Sequence, residues 1–412
     1  MGTPDLMGRD PAAGKPWLSI VGIGEDGLAG LSTGAREAIA TAEIVFGGKR
    51  HLDLAGGRIT GEMRRWPSPF SIDPVIEARG RRVCVLASGD PFFFGVGNQL
   101  AGALNPGEWR AFVAPSSVAL AGGHLGWALA EATILSLHGR PIELVRPHLY
   151  PGSRILILTS DGEAPAKIAA LLKADGFGPT RLTVLEALGG PREKVRFATA
   201  DSFDLGDVDP LNLLALEVAA TPGTRLPSLA PGLPDDWFEH DGQITKRDIR
   251  ALTLSALNPH RGELLWDIGA GSGSIGIEWL LRDPSLRAVA VEGNTERAGR
   301  IRLNAQALGV PGLQVVEGRA PDALADLPTP DVVFIGGGVS EETIAQAQAA
   351  LRPGGRLVIN AVALETEALL IAHHGQEGGD LVRLSLAHGE ALGNLRGWRS
   401  AMPVTQWRWS KP

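Results

Sequence analysis

One stretch of the sequence decides the fold, namely Asp267-Ile268-Gly269-Ala270-Gly271-Ser272-Gly273. It follows an apolar segment over 264–268 that is typical of a strand, and its glycines would let backbone approach a ligand where a side chain would clash. About twenty residues later, Glu292 ends the next predicted strand, where a nucleotide-binding α/β fold places a carboxylate that accepts hydrogen bonds from ribose hydroxyls. The pattern therefore predicts a nucleotide-type site at the end of a sheet.

Strands and helices alternate regularly after this stretch. The predicted elements are helix 275–282, strand 287–292, helix 295–308, strands 313–317 and 331–335, helix 341–351 and strand 356–360. Strand, glycine turn and helix, repeated with right-handed crossovers, give a doubly wound, Rossmann-like sheet. The N-terminal half alternates less regularly, with predicted strands 17–23, 82–86 and 154–159 and helices 33–42 and 164–174. Both halves are therefore α/β, and no internal repeat makes them copies of one another.

A proline-rich segment separates these halves, with prolines at Pro222, Pro227, Pro231 and Pro234. Because these residues remove backbone donors and fix φ at short intervals, they predict a stiff, extended linker. A chain of 412 residues is also too long for one ordinary hydrophobic core. We therefore predict a flexible tail over 1–16, an α/β domain over 17–220, a linker over 221–236 and a second α/β domain over 237–412.

Composition excludes several classes of function. The formal net charge is −7, whereas neutralising the phosphates of a nucleic acid needs a clustered surplus of Lys and Arg. The single cysteine, Cys84, excludes an internal disulfide and a multi-cysteine metal site. No apolar run reaches the roughly 18 residues of a membrane span, and the polar start lacks a signal-peptide core. We therefore expect a cytoplasmic protein that binds no nucleic acid, metal or membrane.

Three features of the C-terminal half occur together in order: the DxGxGxG loop, Glu292, and Glu317-Gly318-Arg319-Ala320 after the third strand. This set resembles the class I S-adenosylmethionine (SAM)-dependent methyltransferases. The resemblance implies that SAM is the cofactor, with Glu292 at its ribose and Ala320 against its adenine. It also implies a set of residues around the methionine moiety, which are Gly269, Ala270, Gly271, Ser272 and Gly273.

Further motifs narrow this resemblance. After the fourth strand, N-methylating relatives carry Asn or Asp with Pro-Pro-Tyr, whereas this chain has Ile335-Gly336-Gly337-Gly338. That run resembles the decarboxylating precorrin methyltransferases that act at carbon 15, as do Gly242-Gln243-Ile244-Thr245-Lys246-Arg247-Asp248-Ile249-Arg250, Glu317-Gly318-Arg319-Ala320-Pro321 and Leu364-Glu365-Thr366. The resemblance implies that Thr245 caps the SAM site. It also implies that substrate carboxylates are bound through charge-assisted hydrogen bonds by Lys246, Arg247 and Arg250. For each of these basic residues, a solvated helix face is the alternative.

The N-terminal half carries its own set of spaced motifs. They are Gly22-Ile23-Gly24-Glu25-Asp26-Gly27, Ala87-Ser88-Gly89-Asp90-Pro91-Phe92-Phe93-Phe94-Gly95, Pro115-Ser116-Ser117-Val118, Leu137-His138-Gly139-Arg140, Thr159-Ser160-Asp161-Gly162 and Leu188-Gly189-Gly190-Pro191-Arg192-Glu193. The set resembles the tetrapyrrole (class III) methylases. Within that family, the fourth and sixth motifs point to the carbon-5 precorrin methylases. The resemblance implies two small α/β lobes that bind SAM in the cleft between them.

Six residues of these motifs are candidates for the N-terminal site, namely Gly24, Gly89, Asp90, Gly95, His138 and Arg140. The glycines would allow close approach of backbone to SAM. The aspartate would hold a loop or a polar group of SAM, and the start of a turn before proline is the alternative. The histidine and arginine would orient a substrate carboxylate, although a structural hydrogen bond is equally consistent with the histidine.

Both resemblances in one chain point to a fusion of two activities. The fusion is similar to the family of decarboxylating precorrin-6Y C5,15-methyltransferases, which implies conversion of precorrin-6B to precorrin-8 with two SAM in cobalamin biosynthesis. The implied partners are a small tetrapyrrole substrate and further copies of the chain, with a tetramer through the C-terminal domain as the candidate assembly. Three alternatives stay open: a cobalt-containing substrate of the anaerobic pathway, an RNA or protein methyltransferase, and a half that has become a substrate-binding module.

Overall fold

Residues 16–412 are described by the computed structural model, and they fall into two units. Residues 16–142 and 148–225 form the N-terminal unit, and residues 143–147 and 226–412 form the C-terminal unit. The predicted tail lies outside the described residues apart from Pro16. Within the described part of the chain, no helix is both long and apolar enough to cross a bilayer.

Five parallel strands form the first sheet of the N-terminal unit, in the order β3-β2-β4-β1-β5. Its elements are β1 (Leu18–Ile23), α1 (Thr33–Thr41), β2 (Ile44–Gly47), α2 (Lys49–Ala55), β3 (Glu62–Arg65), α3 (Asp73–Glu77), β4 (Val83–Ser88), α4 (Gly97–Ala103) and β5 (Trp109–Phe112). The central strands are nearly unbroken apolar runs because α1 and α2 cover one face of the sheet and α3 and α4 cover the other. The carboxyl ends of β1, β2 and β4 therefore meet at one edge.

The second sheet of the N-terminal unit is mixed, in the order β6-β7-β10-β8-β9. Its elements are α5 (Ser117–Leu125), β6 (Thr133–Ser136), β7 (Arg154–Leu158), α6 (Ala164–Ala174), β8 (Arg181–Glu186), β9 (Lys194–Thr199) and β10 (Asn212–Glu217). Strands β6 and β7 run parallel, and the remaining pairs are antiparallel. The two sheets confirm the predicted pair of α/β lobes.

A seven-stranded sheet forms the C-terminal unit, in the order β13-β12-β11-β14-β15-β19-β16. Its elements are α7 (Arg247–Leu257), β11 (Leu264–Ile268), α8 (Ser274–Leu280), β12 (Arg287–Glu292), α9 (Thr295–Ala307), β13 (Gln314–Glu317), β14 (Val332–Ile335), α10 (Glu341–Ala350), β15 (Arg356–Ala361), α11 (Leu364–Glu377), β16 (Asp380–Leu384), β17 (Ala387–Leu392), β18 (Leu395–Ser400) and β19 (Val404–Ser410). The order reverses between β11 and β14, which confirms the predicted doubly wound sheet. Strands β19 and β16 add an antiparallel edge that was not predicted, and β17 and β18 form a separate two-stranded sheet.

The free linker is shorter than the proline pattern predicts. At its C-terminal end, the N–H groups of Gly232 and Leu233 donate to the buried Glu278 carboxylate at 2.6 and 2.9 Å. At its N-terminal end, the Thr224 hydroxyl donates to the carbonyl of Gly176 at 2.9 Å. Between these anchors, Leu229 is 84% exposed. Prolines indicate that the backbone of a segment is stiff, but they do not show which folded residues it contacts. The sequence therefore could not show that each end of the linker is hydrogen-bonded to a folded unit.

Candidate functional sites

The glycine-rich loop between β11 and α8 lies at the carboxyl edge of the C-terminal sheet. Gly269 and Gly271 have positive φ angles of 67° and 59°. A Cβ atom on Gly269 would lie 2.5 Å from the Gly337 carbonyl oxygen, and one on Gly271 would lie 3.1 Å from that of Gln243. Only glycine meets both the conformational and the spatial demand. The backbone of the glycine-rich loop therefore contacts two other predicted motifs, the one that contains Gln243 and the one that contains Gly337.

Two carboxylates stand beside this loop. Asp267, at the end of β11, is 1% exposed, and its Oδ2 accepts a hydrogen bond from the Gly276 N–H at 2.9 Å. Glu292, at the end of β12, accepts one from the Gly271 N–H at 2.8 Å. Asp267 Oδ1 and Ser272 Oγ are buried without a partner among the described residues. The loop therefore combines bare backbone with polar atoms that no described group satisfies.

Asp267 should make the stability of the C-terminal unit depend on pH. Burial raises its pKa from 3.8 to about 7, opposed by the Gly276 N–H and assisted by Glu292. The folded chain then holds a proton that the unfolded chain releases, so this stabilisation is complete below pH 3.8 and is lost as the pH rises through about 7. We expect the free energy of unfolding in urea to fall more steeply over this range in the wild type than in Asp267→Asn. Parallel pH dependences would contradict the raised pKa.

The third C-terminal motif lies at the same edge. The Gly318 N–H donates to the backbone carbonyl of Glu292 at 3.0 Å, which holds the start of the motif beside β12. Ala320 is partly buried against the apolar cluster that includes β12 and β14. The predicted adenine contact therefore stands one strand away from the predicted ribose acid.

The predicted cap and cations lie at the start of α7. Thr245 is half-buried, and Lys246 is the N-cap residue. The Lys246 side chain is 63% exposed, with its Nζ 3.7 Å from the Asp235 carboxylate. Arg247 donates from Nε to the carbonyl of Gly232 at 2.8 Å. Lys246 therefore keeps an exposed ammonium group, whereas Arg247 is tied to backbone.

The structure corrects the prediction for Arg250, which was expected to bind a substrate carboxylate. Its side chain is fully buried, and its guanidinium donates to Glu278 at 2.6 Å and to Asp235 at 3.1 Å. It also donates to the backbone carbonyls of Thr245 and Leu233. A guanidinium inside the unit cannot reach a substrate. Its role is to join α7, α8 and the docked end of the linker.

Backbone segments without side chains also pack closely together at the carboxyl edge of the first N-terminal sheet. A Cβ atom on Gly22, near the end of β1, would lie 1.8 Å from the Gly89 carbonyl oxygen. Gly89 has a φ of 52°, and its own Cβ would lie 2.7 Å from the Pro115 carbonyl oxygen. Gly24 follows at this edge, beside the Asp26 carboxylate. Three predicted motifs therefore converge here as well.

Asp90 and Gly95 shape one loop at this edge. The Asp90 carboxylate accepts a hydrogen bond from the Phe92 N–H at 2.8 Å, which is the geometry of a turn beginning before Pro91. A Cβ atom on Gly95 would lie 2.4 Å from the Pro91 carbonyl oxygen. Both residues are accounted for by loop packing, and their contact with SAM stays a prediction.

His138 and Arg140 follow β6 and are both exposed. His138 Nδ1 lies 3.4 Å from the Thr159 carbonyl oxygen, and Arg140 donates to the Ser136 carbonyl at 3.3 Å. The Gly139 N–H donates to the Ser160 hydroxyl at 3.0 Å, which holds the two neighbouring motifs together. Since both polar side chains remain accessible, their substrate role also stays a prediction.

A polar cluster that the sequence did not predict lies at the carboxyl edge of β1 and β4. Arg50 of α2 pairs with Glu25 and donates to the Ser88 hydroxyl oxygen at 2.7 Å. His51 Nε2 lies 2.8 Å from the same oxygen. Arg192 lies 3.3 Å from the Glu25 carboxylate. Glu25, Ser88 and Arg192 belong to the quoted motifs, but nothing in the sequence connects them to the first turn of α2.

Two family models match the chain. The model described as tetrapyrrole (corrin/porphyrin) methylases matches residues 18–204. The model described as precorrin methyltransferase domain matches residues 236–411. Each unit therefore carries its own methyltransferase domain.

Relatives extend this match over nearly the whole chain. A precorrin-6Y C(5,15)-methyltransferase (decarboxylating) from Sinorhizobium sp. is 57% identical over 410 residues, which is 99% of either chain. The protein of the same name from Mycobacterium tuberculosis is 39% identical and covers 96% of this chain and 100% of its own. A crystal structure titled as the C-terminal domain of precorrin-6Y C5,15-methyltransferase from Rhodobacter capsulatus is 49% identical, with a TM-score of 0.43 over 45% of this chain and 100% of that one. The chain therefore belongs to the decarboxylating precorrin-6Y C5,15-methyltransferases, SAM-dependent enzymes of cobalamin biosynthesis.

Proposed function

We propose that the two units divide the reaction between them. The N-terminal unit methylates carbon 5 of precorrin-6B, and the C-terminal unit methylates carbon 15 and releases carbon dioxide from the ring C acetate, giving precorrin-8. One observation carries this proposal, namely that each unit has a separate glycine-lined edge at the carboxyl ends of parallel strands. Ligands of open α/β sheets bind at such edges.

The residues around the C-terminal loop fit SAM. Gly269 and Gly271 present bare backbone, and the Glu292 carboxylate stands beside them. Asp267 Oδ1 and Ser272 Oγ are buried and unpaired among the described residues, which is rare unless a ligand or water satisfies such atoms. When bound, SAM supplies an electrophilic methyl group on its sulfonium sulfur. The proposed binding set is completed by Thr245, Ala270, Gly273 and Ala320.

In the N-terminal unit, the proposed SAM contacts are backbone contacts at Gly24 and Gly89. Asp90 and Gly95 hold the loop that follows β4 in the shape that this edge requires. His138 and Arg140 are proposed to contact substrate carboxylates, since both side chains are exposed.

Positioning and electrostatics are the chain's main contributions in this proposal. Precorrins are electron-rich, multiply carboxylated macrocycles, and their meso carbons are nucleophilic without a covalent enzyme intermediate. Holding such a carbon in line with an electrophile can account for much of a rate enhancement. The electron pair left by the departing carbon dioxide is accepted by the ring system, and the side-chain carbon then takes up one proton to become a methyl group.

Lys246→Ala is expected to weaken substrate binding alone. The ammonium group of Lys246 is exposed at the start of α7. Its ion pair with Asp235 is long, at 3.7 Å, so the group can turn to a substrate carboxylate. We expect the KM for precorrin-6B in the carbon-15 reaction to rise about tenfold, as the loss of one charge-assisted hydrogen bond would give, with the Kd for SAM unchanged. Arg352→Ala, which removes an exposed cation before β15, is the control. An unchanged KM in Lys246→Ala would return Lys246 to a solvated helix face.

The proposed domains, 17–220 and 237–412, should separate without loss of SAM binding. The side chain of Leu229 is exposed in the linker between the anchors at Thr224 and Gly232, while its backbone carbonyl accepts a hydrogen bond from Arg282. We expect a single cut near Leu229 to give two folded fragments, each of which binds one SAM in titration calorimetry. Aggregation of either fragment, or SAM binding by only one of them, would contradict two independent sites.

We also propose that the chain forms a homo-oligomer through the C-terminal unit, with a tetramer as the candidate assembly. The ribbon of β17 and β18 supports this proposal because Leu392, Leu395 and Trp398 are 69%, 74% and 82% exposed on it. Leu392 and Leu395 form a cross-strand pair on one face of the ribbon, and Trp398 lies on the other face. Exposed apolar patches are typical of interaction surfaces. Light scattering on the full chain measures the assembly.

A further inference from the structure

We propose that the Ser88 hydroxyl, backed by His51 and Arg50, accepts the proton that the substrate loses when the N-terminal unit methylates it. Ser88 would be the catalytic residue, and His51 and Arg50 would position and polarise it. The proposal rests on the assignment of carbon-5 methylation to this unit. It goes beyond that assignment by giving the polar cluster at this edge a chemical task.

Ser88 lies at the glycine-lined edge of the first N-terminal sheet. Ser88 is the last residue of β4, is exposed, and directly precedes Gly89, whose backbone forms the glycine-lined edge. The cluster behind it comes from the loop after β1 and from the first turn of α2, which follows β2. All three strands are parallel and end at this edge. A hydroxyl at this place therefore faces the proposed site and not the core of the lobe.

The Ser88 hydroxyl lies between a hydrogen-bond donor, Arg50, and an acceptor, His51. The Arg50 guanidinium can only donate, and it lies 2.7 Å from Ser88 Oγ and 2.9 Å from His51 Nε2. His51 Nε2 must therefore present its one lone pair, which puts the imidazole proton on Nδ1, a buried atom without a partner among the described residues. The Ser88 oxygen accepts from Arg50, so its own hydrogen is directed to the same lone pair of His51 Nε2 at 2.8 Å. The serine proton can pass to the imidazole once the Arg50 N–H turns away from Nε2 towards the Glu25 carboxylate with which Arg50 pairs.

Burial and nearby charge set the protonation state of the His51 imidazole. Burial, and to a lesser extent Arg50, lowers the pKa of His51 to about 4, so the imidazole is neutral near pH 7. The charged groups around it are Arg50, the Glu25 carboxylate that pairs with Arg50, and Arg192 on the far side of Glu25. An imidazole of such low pKa is a weak base, so it can take a proton only from a strongly acidic donor, and it returns that proton to water readily afterwards.

The substrate provides such a donor at the reacting carbon. The new carbon–carbon bond uses an electron pair of the macrocycle while the methyl–sulfur bond breaks, so the macrocycle gains one positive charge. The methylated carbon still carries its hydrogen. When that carbon–hydrogen bond breaks, its electron pair returns to the ring and neutralises the charge. The proton goes to Ser88 Oγ as the hydroxyl proton moves to His51 Nε2.

The test uses the full chain, precorrin-6B and SAM, and compares Ser88→Ala, Ser88→Thr and His51→Gln. We expect Ser88→Ala to lower kcat for carbon-5 methylation about 100-fold, as loss of a general base does. The KM for precorrin-6B, the Kd for SAM and the carbon-15 reaction should stay within about twofold, since general-base loss acts on proton transfer and not on uniform binding. Ser88→Thr, which keeps the hydroxyl, should restore most of the rate. The kcat of His51→Gln for carbon-5 methylation should lie between those of Ser88→Ala and Ser88→Thr.

An isotope effect separates proton transfer from simple positioning. With deuterium at carbon 5, we expect a larger kinetic isotope effect in Ser88→Ala than in the wild type, because loss of the proton becomes rate-limiting. His124→Gln, which changes an exposed histidine in the last turn of α5, is the matched control and should behave as the wild type. A wild-type rate in Ser88→Ala, or a slow reaction without the larger isotope effect, would overturn the proposal.

One further variant separates this proposal from the assignment on which it rests. Gly24→Arg places a side chain at the proposed SAM site of the N-terminal unit. If carbon-5 methylation survives in Gly24→Arg, the assignment to this unit fails, and the role of Ser88 fails with it. If Gly24→Arg abolishes carbon-5 methylation while Ser88→Ala keeps both rate and isotope effect, only the proton acceptor is wrong.

Discussion

Gly271→Arg is expected to abolish methylation at carbon 15 and the accompanying decarboxylation, while methylation at carbon 5 continues. Gly271 has a φ of 59°, and its Cβ would lie 3.1 Å from the Gln243 carbonyl oxygen. Because this loop lines the space proposed for the cofactor, we expect the arginine side chain to fill part of that space. Even small displacements at such a site cost about 100-fold in rate, and a filled site should cost more.

The measurement for Gly271→Arg is SAM binding by titration calorimetry together with release of carbon dioxide. We expect the number of SAM sites to fall from two to one, with no carbon dioxide released. Gly354→Arg is the matched control because Gly354 also has a positive φ, 74°, but no atom lies within 4 Å of its Cβ position. In both variants a non-glycine residue occupies the left-handed region, which costs about 1–2 kcal/mol. If Gly271→Arg loses both SAM sites while Gly354→Arg keeps both, the two sites are not independent.

Arg250→Met should lower the free energy of unfolding of the C-terminal unit by about 3–5 kcal/mol, the usual cost of removing one partner from a buried ion pair. The Glu278 carboxylate, fully buried, would lose its strongest partner and keep only the backbone donors of Gly232 and Leu233. Methionine fills a similar volume, so the change tests the charge more than the packing.

Urea unfolding of the full chain, followed at the transition of the C-terminal unit, measures this cost. Arg261→Ala is the control, since it breaks an ion pair with Asp283 in which the arginine is 88% exposed, and such pairs contribute little. We expect Arg250→Met to leave the KM for precorrin-6B close to that of the wild type where the protein is folded. A normal stability with a raised KM would restore the original substrate-binding prediction for Arg250.

The C-terminal sheet could be predicted from the sequence because its signals are local. The glycines after β11, the carboxylate that ends β12 and the spacing between them all follow from one strand-turn-helix-strand unit. The predicted strands and helices differ from the observed ones by no more than two residues at either end. The antiparallel edge was missed because β19 pairs with β15 and β16 across long separations, which no short pattern reports.

The position of Arg250 in its helix could have predicted that this side chain is buried. Helix α7 buries positions 250, 253, 254 and 257, which is the spacing of one apolar helix face. A charged residue on that face is expected to be paired inside the protein and not to meet a substrate. The cluster of Arg50, His51 and Ser88 carried no such signal, because it forms only where separate loops meet at a sheet edge.

The division of labour between the two units is tested most directly by the mass of the product that each single-site variant makes from precorrin-6B and SAM. Gly24→Arg should give a product with one added methyl group that has lost carbon dioxide. Gly271→Arg should give a product with one added methyl group that retains the carboxylate. A product of Gly24→Arg that keeps the carboxylate, or a failure of either variant to add any methyl group, would contradict two units with separate chemistry.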